Sequence, residues 1–369
     1  MPDTRAIQPI VMYGSNISYF SGKMENYFRL KGIPYRLEPM LFPESVKTNI
    51  ERVGVSQMPV VGLGDGRWMT DTTCMIRWFE AEYPEPSVLP ADPMMRFFAE
   101  LLEDYADEWL WRPAMHYRWY YDEGAHLQSR HLVDELIRGI PVPRALMRFR
   151  MRHRQRGGYT RGDGIGPSAV EGVEAIFART LEQLQAIFEA RPFLLGSRPT
   201  LADIGFSGPF FRHFALDPIP LEIIRQTAPA VLEWVARLWN TRLDKCDGQV
   251  LDELPEDLGP ILEEIGRAYF PYLNTNAEAV ITGAKRFDAD IDGVPYRGAR
   301  YSRYRVWCFS QIRESFEQLT DEHRGRAQEV LQRYGCFEEL FRLTELPLLT
   351  DQESGLPFRA DTKMVGVNE

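Results

Sequence analysis

The residues best suited to chemistry lie in three short stretches near the start of the chain. Tyr13-Gly14-Ser15-Asn16-Ile17-Ser18 puts three hydroxyls into a loop that feeds a helix. A helix N-terminus carries unpaired N–H groups and a partial positive charge, so a hydroxyl there can help to hold an anion. Ser18 also suits the ordinary role of N-cap. Gln57-Met58-Pro59 sets a side-chain amide just before an X-Pro bond, where an edge-strand proline is the plain alternative. Asp71-Thr72 opens a further helix. Free N–H groups and the Thr72 hydroxyl there suit a carboxylate, and Asp71 suits an amine, although capping alone explains both residues.

Other patterns fail. Gly62-Leu63-Gly64-Asp65-Gly66 begins like a dinucleotide fingerprint, but Arg67 takes the third glycine position and a strand follows, so it reads as a turn. Asp288-Ala289-Asp290-Ile291-Asp292-Gly293 begins like a calcium loop, yet its twelfth position is Ala299, which cannot supply the bidentate carboxylate. The six histidines show no i, i+4 pair and no HExxH, so no metal site is expected, and GxSxG is absent.

The elements that must position these residues follow from periodicity. Ile10–Tyr13 is a short apolar run, Ser21–Lys31 has helical spacing closed by Gly32, and Pro34–Leu37 begins a second strand. A weaker helix covers Ser45–Val53, and two short runs flank an Asp65-Gly66 hairpin turn. A helix from Thr70 to about Tyr83 is stopped by Pro84 and Pro86. One compact α/β unit with a mixed sheet is the result. Beyond it, Met94–Trp111, Val170–Glu189, Leu201–Phe214, Pro229–Leu238 and Asp257–Tyr269 read as helices without strand partners. Residues 138–167 read as an irregular basic insert, either a solvated face or an electropositive rim for anionic substrates. From 270 onward the pattern gives a turn or hairpin at Asp288–Arg300, helices at Tyr304–Leu319 and Glu322–Tyr334, and an extended tail after Thr350.

Composition narrows the class. The chain has 369 residues, 44% hydrophobic and 26% charged, so two or three globular domains are expected. A net charge of −10 disfavours nucleic acid as a partner, and no apolar run is long enough to span a bilayer. Cys74, Cys246, Cys308 and Cys336 show no CxxC spacing and read as structural thiols of a cytoplasmic protein.

The order of these elements resembles the cytosolic glutathione S-transferase family. Residues 9–90 are similar to its thioredoxin-fold half, and Phe193-Leu194-Leu195-Gly196-Ser197-Arg198-Pro199-Thr200-Leu201-Ala202-Asp203 to its helical half. The resemblance implies an α/β thioredoxin-like domain at 7–86 and an all-α substrate domain at 92–269 with the basic insert, while the mostly helical extension at 270–369 has no counterpart in the ordinary family pattern. It implies glutathione as co-substrate and Ser18 as the hydroxyl beside its sulfur, with Tyr13 and Ser15 as competing hydroxyls. Tyr19 stands where a proline is common in the family. Gln57, Met58 and Pro59, with a cis-proline, would pair with the peptide backbone as an added strand. Asp71 and Thr72 would take the γ-glutamyl amine and carboxylate. Thr200–Asp203 is a capping-box signal that starts a structural helix. Ser18 and Ser21 replace the thiols that disulfide exchange would need.

The energetics suit one serine. A thiol of pKa ~8.5 is about 3% thiolate near neutrality. Lowering it by two units requires about 2.7 kcal/mol, and a hydroxyl hydrogen bond to an anion supplies roughly 1.5–3 kcal/mol. An acceptor pocket is expected between the domains, lined by Tyr105, Trp109 and His116, with Arg118 and Glu108 nearby. Plain core is the other reading of this aromatic stripe. The function implied is transfer of the thiolate to a small hydrophobic electrophile by a homodimer without membrane insertion. A scaffold, or a glutathione-dependent lyase, isomerase or dehalogenase, is the alternative.

Overall fold

The computed structural model describes residues 2–347. The chain opens with β1 (Val11–Gly14), α1 (Tyr19–Lys31), β2 (Arg36–Pro39), α2 (Glu44–Val53), β3 (Val60–Gly62), β4 (Trp68–Thr70) and α3 (Thr72–Glu82). The sheet order is β2-β1-β3-β4. β2 runs parallel to β1, as the α1 crossover requires, while β3 and β4 run antiparallel to their neighbours. Gly32 ends α1 at φ 75 and Gly66 turns the hairpin at φ 90, conformations that glycine adopts at little cost. The expected mixed sheet is present.

Eight helices follow: α4 (Pro93–Glu108), α5 (Trp111–Trp119), α6 (Asp122–Leu136), α7 (Arg144–Gln155), α8 (Val170–Ala190), α9 (Leu201–Pro209), α10 (Pro218–Thr227) and α11 (Pro229–Asn240). The helix expected over 94–111 stops at Glu108, because Pro113 is tolerated only in the first turn of a new helix. The insert at 138–167 is not irregular throughout. Its Arg-, Leu- and Met-rich centre forms the three turns of α7, consistent with the helix propensity of those residues. Thr200 and Asp203 form the expected capping box.

α12 (Gly259–Glu264), a wider helical turn at 265–269 and α13 (Phe270–Thr282) run on without interruption. The boundary expected at 269/270 therefore falls inside a continuous helical path. β5 (Arg286–Ile291) and β6 (Val294–Arg300) pair across Asp292 (φ 49) and Gly293 (φ 77), the two-residue turn that matches strand twist. The acidic run before Gly293 is thus one arm of a hairpin. α14 (Arg303–Glu317), α15 (Asp321–Arg333) and α16 (Phe337–Leu340) complete the described chain, and the tail after Thr350 lies outside the described residues. α14 and α15 lie along α4, where Phe97 meets Phe316 at 5.6 Å. Phe28, Leu102, Phe206, Phe270 and Phe309 belong to one hydrophobic core, so the third region is built into the first two.

Candidate active site

Sheet register brings the three stretches to one end of the small domain. Tyr13 pairs with Val60, and Val60 pairs with Thr70. The loop after Gly14, the Pro59 that precedes β3 and the Asp71 that follows β4 must therefore emerge together. Ser18 is the N-cap of α1, half-buried, and its Oγ accepts from the Ser21 amide at 3.3 Å. A capping serine uses an oxygen lone pair, which leaves its proton to donate outward.

The other two hydroxyls are engaged or directed elsewhere. Ser15, the competing hydroxyl, is fully buried and donates to Glu135 Oε2 at 2.5 Å. Glu135 Oε1 also accepts from the Asn16 amide and the Asn16 Nδ2, both at 3.0 Å. Tyr13 stacks on Trp68 at 5.9 Å, and the Arg52 guanidinium lies 3.6 Å over that indole. Successive strand residues face opposite sides, and buried Met12 belongs to the core beside α1, so the Tyr13 ring faces away from α1.

The helical domain fixes the loop from a second side. The Ile17 carbonyl accepts from Arg118 Nη1 at 2.6 Å, and the Asn16 carbonyl accepts from Arg212. Arg118 is itself held by Asp217 at 2.9 Å and by His213 Nε2 at 2.8 Å. Burial, and then the Arg118 charge, push His213 well below the usual imidazole range. The ring is therefore neutral and can accept at Nε2 from the guanidinium.

On the peptide-binding side, the Met58–Pro59 bond is cis. Gln57 Nε2 donates to Thr70 Oγ1 at 2.9 Å, and that hydroxyl donates to the Pro59 carbonyl at 2.9 Å. Asp71 sits at φ 72, a region that costs a residue with a side chain on the order of 1–3 kcal/mol. Its carboxylate accepts from the Cys74 amide at 3.0 Å, so it caps α3 while Thr72 begins the helix. Burial, reinforced by Asp71, pushes the Cys74 thiol far up, and burial does the same at Cys308. Neither thiol has the character of a nucleophile.

The expected acceptor-pocket residues are core. Tyr105 and Trp109 are each 1% exposed and donate to one carboxylate oxygen of Glu264, at 3.2 and 3.0 Å. His116 is fully buried and meets Glu174 at 2.8 Å. Glu108 pairs with Arg305 from α14 at 3.0 Å. The aromatic stripe faces the helical core because α12, distant in sequence, supplies the carboxylate that satisfies it.

Different groups pack against the two residues that follow Ser18, since Trp111 meets both Tyr19 and Phe20. Phe20 stacks on Trp111 at 5.7 Å, and Tyr159 meets Trp111 edge-on at 5.3 Å, all three half-buried. An open cleft of about 580 Å³ adjoins the loop, lined by Asn16, Ile17, Leu37, Pro39, His131, Asp134, Glu135 and Arg138. Glu135 had no local signal in the sequence, since its partner loop lies more than a hundred residues earlier. Trp111 was visible only as one of a run of aromatics. Among the described residues no group of His, Cys, Asp and Glu is arranged to hold a metal ion. No helix among them is long and apolar enough to cross a membrane.

Comparison with known proteins agrees with this architecture. Residues 12–87 match the model of the glutathione S-transferase N-terminal domain, and residues 167–237 match the C-terminal domain model. None of the curated proteins matches the chain significantly. Among solved structures, a GST-like protein from Pseudomonas syringae is 18% identical, covering 63% of this chain and 69% of its own, with a TM-score of 0.41. The beta-etherase LigF from Sphingobium sp. strain SYK-6 is 17% identical over 62% of this chain and 94% of its own, at a TM-score of 0.43. A glutathione S-transferase from Methylobacterium radiotolerans, solved with glutathione sulfonate, is 19% identical over 62% and 89%, at 0.39. These three likenesses are too distant to add to the two domain matches.

Proposed function

The chain belongs to the glutathione S-transferase family, and from that premise we propose that it binds glutathione and adds the thiolate to a small hydrophobic electrophile. The observation that carries this reading is Ser18, half-buried at the head of α1, at the sheet end shared by Pro59 and Asp71. In the proposed complex the Ser18 hydroxyl donates to the sulfur and favours its anionic form. The Met58 backbone and Gln57 take the peptide, while Asp71 and the first turn of α3 take the γ-glutamyl end. Attack on an electrophilic carbon then needs a positioned thiolate and little else.

The aromatic wall of Phe20, Trp111 and Tyr159 and the cleft beside Glu135 are the surfaces offered to the electrophile. A glutathione-dependent lyase, isomerase or dehalogenase would use the same thiolate and differ in this part alone. Four unpaired cysteines suit a reducing compartment such as the cytoplasm.

The resemblance implies a homodimer formed partly through the helix after the linker, here α4. Ser315 and Phe316 of α14 meet Glu100 and Phe97 of α4, and His323 of α15 approaches Asp92 at its start. A second copy would have to dock elsewhere, so we read the working unit as a single chain.

Titration calorimetry of the full chain with glutathione tests the binding. Saturation in the low millimolar range or below is expected, weakened by removal of the γ-glutamyl group. No saturable heat would overturn the assignment.

A further inference from the structure

α7 shows a composition and an exposure that the proposed reaction does not use. Residues 137–162 contain eight arginines and no carboxylate. The whole chain carries −10, so removing these eight positive charges leaves −18 on the rest. Four of the arginines fasten the helix to its neighbours. Arg144 donates to the Val133 and Ile137 carbonyls at 3.1 and 2.8 Å, and Arg148 to Asp134 at 2.9 Å. Arg152 reaches Ser129 at 3.1 Å, and Arg156 reaches the Trp119 carbonyl at 2.6 Å and Asp122 at 2.7 Å.

The other four, Arg138, Arg150, Arg154 and Arg161, are exposed. Leu146, Phe149, Arg150, His153 and Arg154 recur at spacings of three and four, which places them on one helix face. Phe149 is 61% exposed and Leu146 47%. Phe42, 53% exposed, donates its amide to the Leu136 carbonyl, at the same C-terminal turn of α6 that Arg144 clasps. Three of the six exposed large apolar side chains among the described residues thus gather around α7 and its anchor.

We propose that the outward face of α7 docks on an anionic lipid surface. Guanidinium heads meet headgroup phosphates while Phe149 and Leu146 enter the boundary below them, the arrangement of an interfacial amphipathic helix. A nucleic acid would take up the arginines but leave the exposed apolar side chains without a role. Charge also sets the orientation, because the remaining surface is repelled by the same lipid. The helix lies on the bilayer and does not cross it. Docking of this kind depends on the fixed arginines only for rigidity, and not on glutathione chemistry.

Sedimentation of the full chain with vesicles tests the proposal without any enzyme assay. Vesicles of neutral phosphatidylcholine are compared with vesicles carrying about 30 mol% phosphatidylserine at low ionic strength. Binding to the anionic vesicles alone is expected, with release by salt. Arg150→Glu with Arg154→Glu should weaken it at least about tenfold, and so should Phe149→Ser with Leu146→Ser. Both pairs are exposed, and an unchanged circular-dichroism melt verifies that the fold survives. Equal binding to neutral vesicles, or none to anionic ones, would overturn the proposal. So would full binding by the Phe149/Leu146 variant, tighter binding to a single-stranded RNA, or a dimer that this variant dissociates.

Discussion

Replacing Ser18 with alanine isolates the step on which the proposed chemistry turns. The hydroxyl caps α1 through a long 3.3 Å hydrogen bond to Ser21, so loss of the cap costs stability only about 0.5–1 kcal/mol. The fold should tolerate that, because α1 is anchored deeper by buried Lys23 between Glu103 and Asp107 and by Tyr19 on the Ala106 carbonyl. The larger loss falls on the bound anion. Removing a hydrogen bond to a thiolate forfeits about 1.5–3 kcal/mol, which raises the thiol pKa in the complex by about one to two units. Ultraviolet thiolate absorbance, followed as the glutathione complex is titrated with base, reads this directly. Turnover of an activated aryl halide near neutrality should fall about 10- to 100-fold and recover as pH rises past the free-thiol value. Ser18→Thr should restore most of both signals. If the bound sulfur titrates identically in wild type and Ser18→Ala, the hydroxyl has no part in activating it.

Three further outcomes follow from the geometry. Glu135→Ala removes the acceptor for Ser15 and Asn16 and leaves the buried Ser15 hydroxyl proton without an acceptor, so stability should drop about 1–3 kcal/mol in urea unfolding and glutathione affinity with it; unchanged values would show the loop to be held by Arg118 and Arg212 alone. Asp104, 2.6 Å from the Tyr269 hydroxyl, is pushed by burial from 3.8 up to about 8. The folded chain keeps a proton that the unfolded chain loses above 3.8, so this group's stabilisation falls as pH rises from 3.8 to about 8 and is level beyond. Asp104→Asn should flatten the decline in urea midpoint across that range, and an identical slope in both proteins would refute it. Light scattering behind gel filtration should give a mass near the single-chain 42.7 kDa, and a stable doubled mass would refute the reading that the extension has taken the α4 face.

Local chemistry made much of the fold legible. Gly32, the Asp65-Gly66 turn, the prolines after Tyr83 and the Thr200–Asp203 capping box each act within a few residues, and each stands where the sequence implied. Ser18 at the head of α1 and Asp71 at the head of α3 belong to the same class. The pattern also gave a turn or hairpin at Asp288–Arg300, which the fold makes a hairpin, and the two helices after it.

What resisted reading depended on partners far along the chain. An aromatic at position 105 or 109 can face a ligand or a core, and Glu264 on α12 decided for the core. Ser15 competed with Ser18 in the sequence, and only the fold shows its hydroxyl donating to Glu135 of α6. The basic stretch at 138–167 is charged at every turn, and only its seating on α6 separates the arginines that clasp carbonyls from those that face outward. The last described helices read as an appendage, yet Arg305 finds Glu108 and Asp163 and Phe309 enters the common core. Propensity and capping are properties of neighbours in sequence. Burial and charge pairing belong to neighbours in space, which the folded chain alone selects.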